Sequence, residues 1–146
     1  MDKFKAWDKI DKKIKKVRSI DFGANGDANT IRVVDIIFPN VYDFDFDFPE
    51  RFNDEFELLP YTGVKDDAGR EIYEKYIVEI ENTYYDTDMV EKFKGLVIWD
   101  YTESRYIVEE IGRAGINVLS NPYAHTTSRK IIGNFYENPN LLEEIW

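Results

Sequence analysis

At 146 residues, with a formal net charge of −10, no cysteine and one histidine, the chain is long enough to bury about two-thirds of its unfolded surface without a disulfide or a metal. The lack of cysteine excludes thiol catalysis, zinc–thiolate sites and disulfide scaffolds, and agrees with a reducing compartment. The acidic balance argues against charge-driven binding to nucleic acid or an anionic membrane.

The start, Met1-Asp2-Lys3-Phe4-Lys5, has no apolar signal segment, and no later run approaches the roughly 18 apolar residues of a membrane span. These features predict one intracellular domain spanning residues 1–146. The charge is uneven: residues 1–18 hold eight Lys/Arg against three Asp, a net of +5, and the remainder carries −15. Such a basic start is expected to lie against the acidic body of its own chain or of a neighbouring copy.

Within that start, Phe4, Trp7, Ile10, Ile14 and Val17 recur at helical spacing. A hairpin is the competing reading, with strands over Lys3 to Asp8 and Lys15 to Phe22 joined by a Lys-rich turn. Period counting favours the helix. Gly23 to Asn29, small and polar, make a loop, and the β-branched run Ile31 to Phe38 is a buried strand closed by Pro39-Asn40.

Tyr42, Phe44, Phe46 and Phe48 then alternate with Asp43, Asp45 and Asp47, giving a strand with one aromatic and one acidic face. Asp-x-Asp-x-Asp resembles the start of a calcium loop. Alternate strand residues, however, lie roughly 6.5–7 Å apart, too far to converge on one ion. The sixth and twelfth loop positions, which need Gly and Glu, hold Phe48 and Asp54. The acidic face is therefore read as a solvated surface, extended by Glu50, Asp54, Glu55 and Glu57, and no metal or cofactor is assigned.

Phe56, Leu58 and Leu59 continue as strand, and Tyr61 to Glu74 reads as a tight hairpin whose turn is Asp66 to Gly69. Asp can accept from amides just ahead of it, and Gly69 can take the positive φ that closes the loop. The return strand runs from Ile72 to Glu81, with Ile72, Tyr76, Val78 and Ile80 on one face and Glu79 and Glu81 on the other. Asp66 or Asp67 with Glu79 and Glu81 resembles a two-metal nuclease set only weakly, because paired carboxylates occur in any acidic strand.

Asn82 to Tyr85 form a loop, and Asp86 or Thr87 can cap a short helix over residues 87–94 that ends at Gly95. Leu96 to Glu109 is either a hairpin or a strand followed by a helix. His125 has neither a second histidine motif nor a placed nucleophile, and is read as a polar loop residue. Asn138-Pro139 is a cap and first-turn pair for a helix over residues 139–145, with Leu141, Leu142, Ile145 and Trp146 available to pack.

Three blocks together resemble the YopX family of phage and prophage proteins. Lys3-Phe4-Lys5-Ala6-Trp7-Asp8 matches the family's opening Lys-Phe-Arg-Ala-Trp-Asp. Tyr61 to Val78 matches its central Tyr-Thr-Gly-Leu-Lys-Asp-x-x-Gly-x-Glu-Ile-Tyr-Glu-Gly-Asp-Ile-Val. Ile132 to Leu142 matches its closing Ile-Gly-Asn-x-Tyr-Glu-Asn-Pro-Glu-Leu-Leu. The shared positions with structural meaning are Trp7, Gly63, Gly69, Tyr73, Gly133, Asn134, Tyr136 and Pro139.

Lys75-Tyr76 replaces the family's Gly-Asp, which predicts a straighter strand there, and Lys5 replaces an Arg. The resemblance implies a mainly β fold of small, strongly curved sheets or SH3-like barrels built from hairpins. It favours the hairpin both at residues 4–17, with Phe4 and Trp7 as core anchors, and at Leu96 to Glu109. It also implies an accessory protein without established activity, acting in the bacterial host cytoplasm, forming homo-oligomers or binding a host or phage protein. The candidate interaction surface is Asp43, Asp45, Asp47, Asp54 and Glu55, which could also mimic nucleic-acid charge. No catalytic set is assigned; binding of nucleic acid through the basic start is the weaker alternative.

Overall fold

The computed structural model describes residues 3–34, 49–112 and 115–143. Asp43, Asp45 and Asp47, the rest of the alternating aromatic segment, the end of the strand expected over Ile31 to Phe38, and Ile145 and Trp146 lie outside them. The described chain is mainly β, as expected, in two antiparallel sheets with one short helix; of the sheets or SH3-like barrels expected, sheets are present and no barrel closes. It divides into two compact units, Met1–Pro60 and Tyr61–Trp146.

In the first unit, β1 (Phe4–Asp8) and β2 (Lys13–Phe22) form the hairpin, in register Lys5↔Lys16 to Asp8↔Lys13. β3 (Ala28–Val34), β4 (Glu50–Phe52) and the first half of β5 (Phe56–Lys65) complete the order β4-β3-β2-β1-β5. The helical spacing of Phe4 to Val17 is thus overridden by pairing. Ile10 falls at the exposed turn, which a helical stripe would have buried.

The core of this unit is Ala6, Ile31, Val33 and Phe56, backed by Val17, Ile20, Ala28 and Leu58. Phe4 and Trp7 are only half-buried, and Ala6 and Asp8 are the fully buried positions of β1, which corrects the expected anchors. The reason lies in the pairing: Ala6 stands opposite Lys15, and its small side chain leaves room for a buried lysine stem.

In the second unit the rest of β5 pairs with β6 (Glu71–Tyr73), and a five-stranded sheet follows in the order β10-β9-β8-β7-β11. Its strands are β7 (Tyr76–Tyr84), β8 (Val90–Asp100), β9 (Arg105–Glu110), β10 (Ile116–Val118) and β11 (Ala124–Asn134). Ile72, Ile77, Val78, Ile80, Val97 and Val108 are fully buried here. The hairpin expected at Leu96 to Glu109 is present as β8 and β9.

The helix expected at residues 87–94 is instead the start of β8, and the loop expected at Asn82 to Tyr85 is mostly β7. Phe93, Gly95 and Val97 are buried at alternate positions, whereas Met89 and Val90 face solvent. Gly95 serves a strand and caps no helix. A Cβ there would lie 2.3 Å from the Glu109 carbonyl oxygen, so the glycine permits β9 to approach. α1 (Pro139–Glu143) forms at the expected place.

Candidate functional site

Asp66 is the hub of the central turn. Its Oδ1 accepts from the amides of Ala68 (3.0 Å) and Arg70 (2.8 Å), and its Oδ2 accepts from Arg70 Nε at 3.0 Å. Burial opposes the charge, but hydrogen bonds from the Arg70 and Ile131 amides and the Arg70 guanidinium outweigh it, holding the carboxyl below its ordinary range. Gly69 adopts φ +80°, as the turn chemistry predicts, and Gly63 adopts +85°. Around Gly63 the strand bulges: Thr62 to Val64 oppose Ile72 alone, and Thr62 Oγ1 donates to the Ile72 carbonyl at 2.7 Å.

Asp67 does different work. Its amide donates to the Arg129 carbonyl (2.8 Å), and its Oδ2 accepts from the Arg129 amide at 2.9 Å. The turn thereby covers part of the outer edge of β11, which would otherwise offer free donors and acceptors to another strand. Glu79 lies 3.7 Å from Lys92 Nζ, and Glu81 accepts from Thr127 Oγ1 at 2.9 Å. The four carboxylates of the nuclease reading thus have separate partners, and among the described residues no group of His, Asp and Glu comes together as a metal site. His125 is an exposed residue of β11 rather than of a loop.

The expected straight run through Lys75 is broken. Lys75 takes φ +71°, and the chain turns between β6 and β7 even though the family's glycine is absent. Hydrogen bonds enforce the turn: the Lys75 amide donates to Val97 O and its carbonyl accepts from the Phe135 amide, both at 2.8 Å. Lys75 Nζ also lies 5.4 Å from the Phe135 ring centroid.

Beside this turn Tyr61, Tyr73 and Tyr76 form a run of tilted rings with centroids 5.6 and 5.7 Å apart. The Tyr73 hydroxyl donates to Glu71 Oε1 at 3.1 Å. Burial, then Glu71, raises the Tyr73 phenol, and burial with Glu137 and Glu71 pushes Tyr76 up to about 12.

In the closing block, Asn134 Oδ1 accepts from the amides of Tyr136 (3.0 Å) and Glu137 (2.9 Å). Asn138 turns its Oδ1 back to the Asn134 amide at 3.1 Å, away from the role of side-chain cap expected for it; the Leu141 amide meets its backbone carbonyl instead. A Cβ on Gly133 would lie 2.7 Å from that Asn138 Oδ1, so the glycine leaves room for the Asn138 side chain in this position. Pro139 opens α1.

A buried ionic cluster that the sequence did not disclose sits in the first unit. Asp8 is wholly buried; its Oδ1 accepts from Ile10 N (2.9 Å) and Arg51 Nε (2.9 Å), and Lys15 Nζ lies 2.8 Å from Oδ2. The Lys15 contact is an ion pair without an aligned donor direction, and Lys15 also pairs with Asp11. Desolvation would raise the Asp8 carboxyl, but Arg51, Lys15 and the turn amides override it and hold the pKa at about 2. The only available signal was the basic excess of residues 1–18, which does not say which lysine is buried.

Of the proposed acidic surface, Asp54 is exposed, whereas Glu55 closes the turn after β4: its Oε1 accepts from Phe52 N at 3.0 Å and its carbonyl from Lys9 N at 2.9 Å. The sequence reading also missed an exposed apolar end on the second sheet. Tyr85 (67% exposed), Met89 (64%), Val90 (61%, the first residue of β8) and Tyr123 (77%) lie in and beside two neighbouring connections, joined where Tyr85 N donates to Tyr123 O at 3.2 Å. Exposed Asp86 and Asp88 stand among them.

These features define an antiparallel β protein whose buried carboxylates serve its own turns and which, among the described residues, groups exposed large apolar side chains at one end of a sheet. The chain belongs to the YopX family: the family profile, described as YopX protein, matches residues 3–143. Its fold is similar to that of protein EF1440 from Enterococcus faecalis, known from a crystal structure, with a TM-score of 0.55 and 22% sequence identity over 97% of this chain and 98% of that one. Comparison with curated proteins gives no match. No helix among the described residues is long and apolar enough to cross a membrane.

Proposed function

We propose that this YopX-family protein is a non-catalytic interaction module encoded by a phage or prophage, acting in the cytoplasm of the infected bacterium by assembling with its own copies or with a host or phage protein. The observation that carries this reading is the exposed end formed by Tyr85, Met89, Val90 and Tyr123, because large apolar side chains grouped on a solvent-facing surface are the usual mark of an interaction surface. The structural use of Asp66, Asp67, Glu79 and Glu81 weighs against a nuclease. Pairing of Lys15 with Asp8 and Asp11 weighs against the basic start as a phosphate-binding patch.

Solution mass combined with affinity capture from host cells tests the proposal. The expected result is a mass above the monomer or a specific retained protein. A monomer that retains nothing, or metal-dependent cleavage of DNA or RNA by the purified chain, would sink it.

A further inference from the structure

The first unit carries a surface whose chemistry complements that apolar end. At the β1–β2 turn Ile10 is 56% exposed, with exposed Lys9 before it and exposed Lys12 two residues on; the intervening Asp11 carboxylate pairs with Lys15 and Arg51. The turn is held firmly: Lys12 N donates to Asp8 O at 2.7 Å, Lys12 sits at φ +56°, and the buried Asp8 carboxylate accepts from the Ile10 amide. The Lys9 amide donates to the Glu55 carbonyl at 2.9 Å, and the Lys9 side chain makes a 3.9 Å pair with Glu57, both partners well exposed, which is a weak attachment. The result is a rigid basic tip with an aliphatic point. The end of the second sheet is the reverse, an apolar surface set with Asp86 and Asp88.

We propose that the basic tip of one copy docks on the apolar end of another, with Ile10 against Tyr85, Met89, Val90 and Tyr123, and Lys9 and Lys12 facing Asp86 and Asp88. The proposal rests on the self-assembly branch of the function above and names its interface. Charge complementarity selects this occupant: exposed Lys9 and Lys12 on the tip match exposed Asp86 and Asp88 at the apolar end, so a second copy supplies the matching charge. A preformed tip loses little conformational freedom on docking, which favours a small contact that would otherwise be too weak.

Sedimentation velocity of the full chain over a range of concentrations tests this, with circular dichroism confirming that each variant folds. The wild type should self-associate, and its association constant should fall at least about tenfold between about 0.05 and about 0.5 M salt. Lys9→Glu with Lys12→Glu in one variant, and Asp86→Lys with Asp88→Lys in another, should each lose association about tenfold or more when alone. Mixing the two variants should restore it, because each reversed surface then meets its complement.

Association that survives both reversals, or reversals that no mixing rescues, would overturn this interface while leaving self-assembly standing. A wild type that stays monomeric at every concentration would overturn the interface and the self-assembly branch together, while capture of a host protein would then still support the wider function.

Discussion

Asp8 shows how one residue links pairing, stability and surface. A carboxylate at zero exposure is tolerable only because Arg51 and Lys15 neutralise it and the Ile10 amide adds a hydrogen bond to Oδ1. Asp8→Ala leaves those cations buried without their partner, and urea denaturation should show a loss of about 3–5 kcal/mol. The same residue gives a pH dependence. Its folded pKa of about 2 lies below the ordinary value of 3.8, so the contribution is fully present above 3.8 and disappears as pH falls towards 2. Over that window Asp8 should account for on the order of 2 kcal/mol, and an Asp8→Asn chain should lack this part of the acid transition. At Lys75 the left-handed backbone costs a non-glycine residue about 1–2 kcal/mol. Lys75→Gly should therefore raise the urea midpoint, by an equivalent of about 0.5–1 kcal/mol after the lost ring contact with Phe135. A lower midpoint would show that the contact outweighs the strain.

Among the elements, the central hairpin is a fastening for the long edge strand β11. Asp67 satisfies both backbone groups of Arg129, and Asp66 Oδ2 lies 3.5 Å from the Ile131 amide. Asp67→Ala keeps the bond from its own amide but removes the acceptor for Arg129 N–H. The expected loss is about 1–2 kcal/mol, with faster hydrogen exchange at Arg129 while amides in β7 and β8 stay protected. Uniform loss of protection through the sheet would mean that the hairpin supports the whole unit. In β8, Gly95→Ala has no space beside the Glu109 carbonyl and should destabilise the β8–β9 pair, read as a drop in the thermal midpoint.

For the molecule as a whole, the sequence pI near 4.6 and the Asp8 pKa near 2 separate two events on acidification. Repulsion between copies vanishes near pH 4.6, where the Asp8 cluster is still charged and intact. Light scattering should therefore rise near that pH before circular dichroism reports unfolding, and added salt should change the scattering more than the dichroism. If the fold is lost first, the buried ionic cluster contributes less than its geometry implies.

Family membership, the predominance of strands, the Asp66–Gly69 turn with its left-handed glycine and the helix start at Pro139 were all legible in the residues, because turn chemistry and signature wording are local. The hairpin at residues 4–17 was legible only through the family signature, since its apolar spacing reads as helix until β5 pairs with β1. Burial of Lys15 depends on Ala6 standing opposite it and on Arg51 arriving from β4, distant in sequence. The turn at Lys75 is imposed by backbone partners on Val97 and Phe135, and it appears where the residue type argues against it. Residues 87–94 carry both helical and alternating patterns, and only the approach of β9 at Gly95 decides between them. The exposed end around Tyr85 and Tyr123 had no linear signature, because strand register brings those turns together. Local backbone preference is written residue by residue in the chain, whereas burial, charge pairing and surface composition arise from neighbours that only folding supplies.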